Sequence, residues 1–593
     1  MRPSRQLVAA SLFLRRHHAA VAAALLACMA LLLGHAAFVD SPTIDEPNHI
    51  ARGLAFWWSG DSRLSTAHPP LANALQALPA ALLDEPIDFE KLKGWPQADI
   101  GRVARALVAK DYEQLRSAIV TGRLVTGLLT LLLGLYLYRY CLRWGRGRAL
   151  FFLLLFVCSP VLLAHGHLVT TDLPVALCFA VAVGEGVRWL EGGSRWRLAF
   201  AAAAAGCAAA AKFSGVLLLP VLGAATAATA LAGVGRFAGA TSPARIGRVL
   251  RAGLFTGLVV LTVVNGAYRF ERSFWTVRQT LAAPEPANWI TRPHRGLLLE
   301  RLSPLADMPR QVRLPVPYSW LFGLFSIEAQ NERGHGGWFL GSTEPTRLYF
   351  PTMLAIKSPA ALLLLLAGAA ALWLRRAGRW PARLVERLRA PSSRLLRPLA
   401  VPHLALWAAP LLLFWLALGS KIQIGVRHVL PVVPFLLLAA AWAGALLWRR
   451  QPALAGLLAL LLVAEVALVH PGHLGHFSLL VGGPPVGHQI SMIGEDWGQD
   501  VAALGTVAKE AGLAPLHYVP YGITAVRELR RTGLKFRTLS CKTRKLRNGG
   551  WIAIHAAQLL RWKKCGPIDA TRPPDRTIGE HIWLYRVEPP AAR

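Results

Sequence analysis

Two adjacent acids, Asp45 and Glu46, follow the first long apolar run of the chain by only a few residues. A carboxylate held at the face of a bilayer can act as a general base toward a hydroxyl or an amine, and a second acid beside it can tune its pKa or hold a metal. The alternative interpretation is a solvated pair of loop carboxylates. The surrounding residues favour chemistry, with Asp45 as the base and Glu46 as a partner that orients it or raises its pKa.

A third acid, Asp172, lies in a short turn between two further apolar runs, shortly after His165 and His167. Ionisable groups near the end of a membrane span are costly, so each one is a candidate for substrate contact. Asp172 also suits the cap of the following helix, and capping does not exclude catalysis. We therefore predict that Asp172 is catalytic together with the acidic pair. The histidines predicted to line the substrate cavity are His49, His68 and His167.

Basic side chains stand near the outer ends of other apolar runs. Lys212 is the single charge between two Ala-rich runs, and the alternative role for it is simply to reach the lipid headgroups. Lys357 lies inside an apolar segment, about two helical turns from its outer end. Arginine is well suited to bidentate phosphate binding. The residues predicted to bind a lipid phosphate are Lys212, Lys357, Arg427 and His428.

The composition places these residues in a polytopic α-helical membrane protein. The chain has 593 residues, of which 54% are hydrophobic and 16% charged, and its mean hydropathy is +0.40. Its apolar residues come in runs of about 17 to 25, the length that crosses a hydrocarbon core. About eleven spans are predicted, near residues 18–38, 118–138, 149–166, 172–190, 197–212, 213–234, 249–268, 350–374, 402–420, 428–448 and 452–470.

The net charge of +33 does not indicate nucleic acid, because the arginines cluster at alternate span ends and follow the positive-inside rule. This pattern predicts a cytoplasmic N-terminus and, with an odd number of spans, an external C-terminus. The first run is longer than a typical signal core, so an uncleaved anchor is favoured over a signal peptide. The main clusters are Arg2, Arg5, Arg15 and Arg16; Arg139, Arg143, Arg146 and Arg148; and Arg375, Arg376, Arg379, Arg383, Arg387, Arg389, Arg394 and Arg397.

Two domains are predicted, a membrane module over residues 1–470 and a soluble external tail over residues 471–593. External loops are expected at about residues 39–117 and 269–349. In the first loop, Pro69 and Pro70 can start a helix that either roofs a cavity or packs on the bundle. The tail alternates helical and β-rich runs, which indicates a small α/β module. Cys541 and Cys565 are the one cysteine pair placed to form a disulfide.

External acids, external cations and a roof of loops together describe one reaction. The cations hold the phosphate of a lipid-linked donor while a carboxylate activates an acceptor, as in glycosyl transfer from a polyprenyl-phosphate sugar. A transporter or flippase of lipid-linked sugars is the alternative, although the chain shows no internal repeat of the kind common in transporters. A membrane scaffold whose tail binds a partner is a third interpretation.

The order and membrane side of several short motifs resemble the bacterial glycosyltransferase family 39, relatives of the protein O-mannosyltransferases and of the lipid A aminoarabinose transferases. The resemblance runs over most of the chain. It is carried by the acidic pair after the first span, His68-Pro69-Pro70-Leu71, the Thr-Thr-Asp-Leu-Pro turn ending at Pro174, Gly425-Val-Arg-His with Leu430-Pro431 and Pro434, and Asp496-Trp497-Gly498-Gln499-Asp500.

The resemblance implies a GT-C fold in the bacterial inner membrane, a periplasmic tail and an inverting glycosyltransferase that uses a lipid-phosphate sugar. It maps the family's base onto Asp45 and Glu46 and places Asp172 in the same cavity. The acceptor is an unspecified lipid, glycan or protein. Where many relatives read Asn-Glu-Leu-Ala-Gly-Gly-Pro, this chain has Phe477-Ser-Leu-Leu-Val-Gly-Gly-Pro and lacks the acid. Some relatives use a divalent metal, but the histidine spacing here is no metal signature, and no cofactor is assigned.

Overall fold

The computed structural model describes residues 16–283, 301–305, 312–377, 400–492, 494–543, 549–579 and 581–589. Several arginines used to predict topology, namely Arg2, Arg5, Arg15 and those from 379 to 397, lie outside these ranges. Parts of the second predicted loop, residues 284–300 and 306–311, do so as well.

The described chain is mostly helical up to residue 490, and each predicted apolar window falls on a helix or a pair of helices. The helices are α1 His18–Val39, α2 Glu46–Trp58, α3 Pro70–Leu83, α4 Ile100–Lys110, α5 Tyr112–Cys141, α6 Arg146–Val157, α7 Pro160–His165, α8 Asp172–Leu190, α9 Arg195–Ala211, α10 Leu218–Leu231, α11 Ser242–Ala267, α12 Val277–Ala282, α13 Tyr318–Arg333, α14 Tyr349–Ile356, α15 Ala360–Ala377, α16 Ala400–Leu418, α17 Val433–Arg450, α18 Pro452–Val469 and α19 Pro484–Ile490.

Within the described residues, seven helices are long and apolar enough to cross a membrane, or eight if one bent pair counts as a span. The chain is therefore a multi-pass membrane protein. The full set of about eleven spans and the sidedness of the termini stay predictions. α9 has 17 residues and narrowly misses the length of the seven.

Two predicted spans are broken helices. The window 149–166 divides at Ser159-Pro160, where the Ser159 hydroxyl accepts from the Leu162 amide and Pro160 opens α7; proline suits a first helical position because its missing N–H leaves no bond unmade. The window 350–374 divides into α14 and α15, which meet at 118°. Lys357 lies in this break, so it does not stand along a continuous span as the sequence predicted.

Enclosure differs strongly among the spans. The apolar window of α8 is 78% buried and that of residues Val426–Arg450 is 72% buried, whereas the window of α1 is only 28% buried. These two enclosed spans carry Asp172 and Arg427 at their ends. Helices at the centre of a bundle can bring polar ends together away from lipid, which is where a site is expected.

The predicted loop helix forms as α3, beginning at Pro70. It packs against α2 and α5, and the buried Gln76 amide donates to the Thr126 hydroxyl and to the Thr170 carbonyl. The neighbouring Ala67 and His68 line the large cavity described below. Of the two predicted roles for this helix, packing on the bundle is the one that the contacts support.

The tail forms the small α/β module that the sequence predicted. Before the tail, two short strands, β1 His335–Gly336 and β2 Ile422–Gln423, pair in parallel. The strands of the tail are β3 Leu516–Tyr518, β4 Arg537–Thr538, β5 Gly550–His555, β6 Lys564–Cys565, β7 Ile568–Asp569, β8 Arg576–Ile578 and β9 Ile582–Val587, and its helices are α20 Val501–Glu510, α21 Ala525–Arg531 and α22 Ala556–Trp562. Five of the strands form a mixed sheet of order β4-β3-β5-β9-β8, parallel among β4, β3 and β5 and antiparallel from β5 through β9 to β8. β6 pairs with β7 in an antiparallel ladder.

The tail packs on one end of the bundle, which we call the tail side. Tyr112, at the start of α5, donates to Glu528 of α21 at 2.6 Å. The Ser478 amide donates to the carbonyl of Ile356 at the end of α14. These contacts fix the tail directly over the helix ends that carry the predicted site.

Cys541 and Cys565 form a disulfide across 24 residues of the tail, as the sequence allowed. Closing a loop of this length stabilises a fold by about 3 kcal/mol. Replacing Cys541 by Ser should therefore make the tail more sensitive to protease and heat, while the same change at the exposed free Cys28 should not. Intact-mass counting of alkylated thiols checks the bond: alkylation of all seven cysteines without reductant would contradict it.

Candidate active site

A cavity of about 910 Å³ lies between the tail side of the bundle and the tail. Both domains contribute to its wall, from α2 and the start of α8 to Tyr521 and α22 in the tail. The sequence-predicted residues that line it are Asp45, His49, His68, Asp172, Lys212, Arg427 and His428. Glu46, Lys357 and His167 do not line it.

Asp45 occupies the N-cap position of α2, and its Oδ2 accepts a hydrogen bond from Nη1 of Arg427 at 2.7 Å. The Asp45 side chain is 32% exposed and that of Arg427 is 13% exposed. The sequence places these residues 382 positions apart, so their contact depends on the assembled bundle. The predicted base and the predicted phosphate ligand are thus an ion pair in the described structure.

The turn that presents Arg427 depends on two glycines. Gly425 has a φ of 104° and precedes the short 3-10 helix Val426–Val432. Gly494 of the tail approaches so closely that a Cβ on it would lie 2.5 Å from the Gly425 Cα. A side chain at either glycine would push the tail away from the turn that carries Arg427.

The surroundings of Asp45 keep its carboxylate ionised. Burial alone would raise the pKa of Asp45, but the Arg427 guanidinium and His49 lower it below the ordinary value. Burial, with help from Arg52, lowers the pKa of His49 to about 4. Burial also holds the pKa of His68 well below its usual range. At neutral pH the site therefore holds a charged Asp45 beside two neutral imidazoles.

A second ion pair faces the same cavity. Asp172 is the first residue of α8, and Lys212 follows the last residue of α9. The Lys212 Nζ donates to Asp172 Oδ1 at 2.5 Å, and Lys212 remains 18% exposed. Both predicted catalytic acids in the cavity are consequently held by cations rather than by each other.

Arg52 is a cavity residue that the sequence reasoning missed. Its Nε donates to the Leu64 carbonyl at 3.1 Å, and it forms no salt bridge within the described part of the chain. Burial lowers its pKa to about 10, so it stays charged at neutral pH. Residues 45, 49 and 52 are four and seven positions apart, the spacing of one helical face. That spacing could have revealed Arg52, had a helix been predicted after Asp45.

Glu46 is separated from its neighbour Asp45 in both direction and role. It is fully buried, and its two oxygens accept from Arg123 at 2.8 and 2.7 Å and from the amides of Thr43 and Val169. Arg123 also donates to the carbonyls of Ala37 and Ser41. The prediction that Glu46 is catalytic does not fit this geometry, because its oxygens are occupied in tying α2 to α5 and to the turn before α8.

Lys357 and His167 also lie away from the cavity. Lys357 forms an ion pair with Glu495 of the tail and donates to the Leu474 carbonyl at 2.8 Å. His167 bonds Asp40 at 3.0 Å and the Leu163 carbonyl. The predictions that Lys357 binds phosphate and that His167 contacts substrate are not supported by these positions, since each side chain is already buried with partners of its own.

Several polar groups of the cavity wall lack partners within the described structure. Asn48 Oδ1, Arg427 Nε and Gln558 Oε1 are buried without a hydrogen bond. Groups of this kind are costly unless a ligand pairs with them. No group of three or more His, Cys, Asp or Glu side chains among the described residues could hold a metal ion. The donors and acceptors here suit a hydroxylated, anionic ligand.

No protein-family model and no curated protein matches the chain. Among solved structures, the chain is similar to ArnT from Cupriavidus metallidurans bound to undecaprenyl phosphate, at 15% identity and a TM-score of 0.42, over 96% of this chain and 98% of that one. The apo state of the same protein gives 14% identity and a TM-score of 0.27, over 95% and 97%. Both TM-scores are low, so the fold and the site rest on the residues of this chain alone.

The two neighbouring acids should respond differently to loss of charge. Glu46→Gln leaves Arg123 buried without a counter-charge and should lower the free energy of unfolding by about 3 to 5 kcal/mol. Glu113→Gln is the control, because the Glu113 pair with Arg531 is exposed and worth less than about 1 kcal/mol. Thermal unfolding of the purified chain measures both. Equal stability of the two variants would contradict a structural role for Glu46.

Proposed function

We propose that this protein is an integral-membrane, inverting glycosyltransferase that moves a sugar from a polyprenyl-phosphate donor to an acceptor on the tail side. The observation that carries the proposal is the single cavity in which an ionised Asp45 faces Arg427, Arg52 and Lys212. A base and several cations are the two requirements of this transfer. The proposal agrees with the activity that the family 39 resemblance of the sequence implies.

The cavity offers separate surfaces for the two ends of such a donor. Arg427, Arg52 and Lys212 provide guanidinium and ammonium donors for a phosphate. Val216, Leu217, Leu324 and Ile327 add an apolar wall that suits the first units of a prenyl chain. The unpartnered oxygens of Asn48 and Gln558 can accept from sugar hydroxyls, and the neutral His49 and His68 can bond further hydroxyls.

In the reaction, the Asp45 carboxylate accepts the proton of the acceptor hydroxyl. The acceptor oxygen attacks the anomeric carbon, and the bond from that carbon to the phosphate oxygen breaks on the opposite side. The polyprenyl phosphate leaves with the bonding electrons, stabilised by the cations, and needs no proton. One carboxylate therefore suffices, whereas hydrolases of glycosides flank the sugar with two.

The pairing of Asp45 with Arg427 adapts the base to its donor. Without donor, Arg427 keeps the pKa of Asp45 low, which makes the carboxylate a weak base. A donor phosphate competes for the same guanidinium, and each contact that Arg427 makes to phosphate weakens its hold on Asp45. The pKa of Asp45 then rises towards that of a more effective base as the donor binds.

The predicted orientation in the membrane determines the face at which the reaction would occur. The arginine pattern of the sequence predicts that the tail side is external, so the chain would act at the periplasmic face of a bacterial inner membrane. A lipid-linked sugar can reach such a site from the outer leaflet without any nucleotide sugar. Membrane lipids and an acceptor with a free hydroxyl are the partners that this arrangement requires.

Loss of the Asp45 charge should stop transfer without unfolding the chain. Proteoliposomes with the wild-type protein and sugar-labelled polyprenyl-phosphate donors should release free polyprenyl phosphate, and Asp45→Asn should reduce the rate by at least about a hundredfold, the usual scale of general-base loss. Donor binding by the variant should remain. Substantial retained transfer would remove Asp45 from the mechanism, and donor movement across the membrane without release would favour the transporter alternative.

The cations should govern the donor. Charged hydrogen bonds are worth about 1.5 to 3 kcal/mol, so Lys212→Gln and Arg52→Gln should each weaken donor binding by about ten- to a hundredfold. Lys421→Gln is the matched control, because Lys421 is exposed and bonds the Glu332 carbonyl outside the cavity. The measurement is the affinity of the three variants for polyprenyl phosphate. Equal affinities would mean that the phosphate binds elsewhere.

A further inference from the structure

Residues 494–500 of the tail form what we call the junction segment, which lies between the bundle and the tail sheet. Its side chains Glu495, Asp496 and Trp497 are all at most 3% exposed. The segment contains the Asp-Trp-Gly-Gln-Asp motif, which the reaction steps above do not use. Its contacts lead directly to both members of the Asp45 and Arg427 pair.

The junction segment holds the loop that carries Asp45. The Ile44 amide donates to the Trp497 carbonyl at 2.9 Å, and the Ser41 amide donates to the Gln499 carbonyl at 2.9 Å. The Ser41 hydroxyl in turn accepts from the Ala502 amide at 2.9 Å. The backbone immediately before the proposed base is therefore registered against the tail and not only against the bundle.

The same tryptophan holds Arg427. The guanidinium carbon of Arg427 lies 4.2 Å from the centroid of the Trp497 ring. The ring is packed in turn by Ala164, Leu168 and Leu474, and the Trp497 amide donates to the Gln499 side chain at 2.8 Å. A guanidinium stacked on a buried indole loses rotational freedom and keeps its charge.

Two adjacent buried acids attach the junction segment, one to the bundle and one to the rest of the tail. Glu495 pairs with Lys357 in the break between α14 and α15. Asp496 accepts from His555 at 2.9 Å and from the Ala557 amide at 3.3 Å, at the start of α22. Lys357, which the sequence predicted to bind phosphate, pairs with this segment in the structure. These bonds hold the backbone directly before Trp497.

We propose that Trp497 is a positioning residue that sets the approach of Asp45 to Arg427, through its carbonyl on the Asp45 loop and its ring on the guanidinium. The inference rests on the proposed function, in which these two residues are the base and a phosphate ligand. It makes the tail an integral part of the active site. An apolar side chain without an aromatic face, such as leucine, would leave Arg427 free to rotate.

The test compares Trp497→Phe and Trp497→Leu in the full-length chain with a matched control. Trp189 stacks under Arg236 at 5.1 Å, away from the large cavity, so Trp189→Leu removes the same kind of pair elsewhere. Hydrogen exchange over residues 40–48 and 424–430 reports the positions of the loop and the turn without any substrate. Transfer rates and their pH dependence report the chemistry.

Trp497→Leu should exchange faster at both segments and lose about tenfold in kcat/KM, the scale of a desolvated cation–π contact, because Arg427 is no longer held toward the donor phosphate. The acid limb of its pH–rate profile should move to higher pH, because Arg427 no longer depresses the pKa of Asp45. Trp497→Phe should keep most of the transfer rate and the pH–rate profile of the wild type. The charged or titratable groups that interact with Asp45 are Arg427, His49, Asp172, Arg52, His335 and Tyr521.

Unchanged exchange over residues 40–48 and an unmoved acid limb in Trp497→Leu would overturn the inference. If Trp497→Leu fails to fold, Trp497→Met replaces it, because methionine is larger and also lacks an aromatic face. In an Arg427→Gln background the same substitution should leave the acid limb of the pH–rate profile where Arg427→Gln alone puts it; a further shift would show that the tryptophan does not act through Arg427. If the wild-type chain transfers no sugar, the proposed function is wrong, and the exchange data alone decide: faster exchange in Trp497→Leu but not in Trp189→Leu supports positioning, and equal exchange refutes it.

Discussion

Charge pairing at the tail side of the bundle is the constraint on which the rest of this structure depends. A carboxylate near the end of a buried span costs free energy unless a cation meets it. Here the cations come from remote segments: Arg427 reaches Asp45 across 382 residues of sequence, and Lys212 reaches Asp172 across 40. Each of the two enclosed spans contributes one member of a pair, Asp172 or Arg427, to the same cavity. The cavity is the space that these paired ends enclose beneath the tail.

Much of this arrangement was predictable because membranes restrict sequence strongly. An apolar run of sufficient length has to be a helix, since unpaired backbone groups are too costly in lipid. A charged residue at the end of such a run is then rare enough to stand out, and Asp45, Asp172, Lys212 and Arg427, which the sequence singled out in this way, all line the cavity. The tail also matched, because its helices and strands alternate with clear changes of period.

The differences between the predicted and the observed positions of the other residues have equally physical causes. Asp45 and Glu46 are adjacent, and successive helical residues point about 100° apart, so one faces the cavity and the other enters the core. The sequence alone does not tell which of the two acids faces the cavity. Lys357 was predicted to lie along a continuous span because hydropathy does not detect the break at which α14 and α15 meet at 118°. Arg52 was missed because the loop was not expected to form α2.

The junction segment joins the bundle and the tail at the site: the bundle supplies the charges Asp45 and Arg427, and the tail supplies the Trp497 surface on which the guanidinium lies. Trp497 contacts the Asp45 loop and the Arg427 side chain at once. No local pattern could reveal this, because the contacts join three distant parts of the chain. The motif was visible in the sequence, yet its partners were not.

The charge of the cavity wall fits the charge that the proposed reaction develops. The bundle supplies the cations Arg52, Lys212 and Arg427, and α22 of the tail adds Arg561. Glu328 is paired with Arg301, so the carboxylates of Asp45 and Asp172 leave a surplus of two positive charges. A phosphodiester donor carries one negative charge, whereas the fully ionised phosphate monoester that departs carries two. Because charge interactions are strong in a low-dielectric site, the surplus stabilises the second negative charge as it develops on the leaving phosphate.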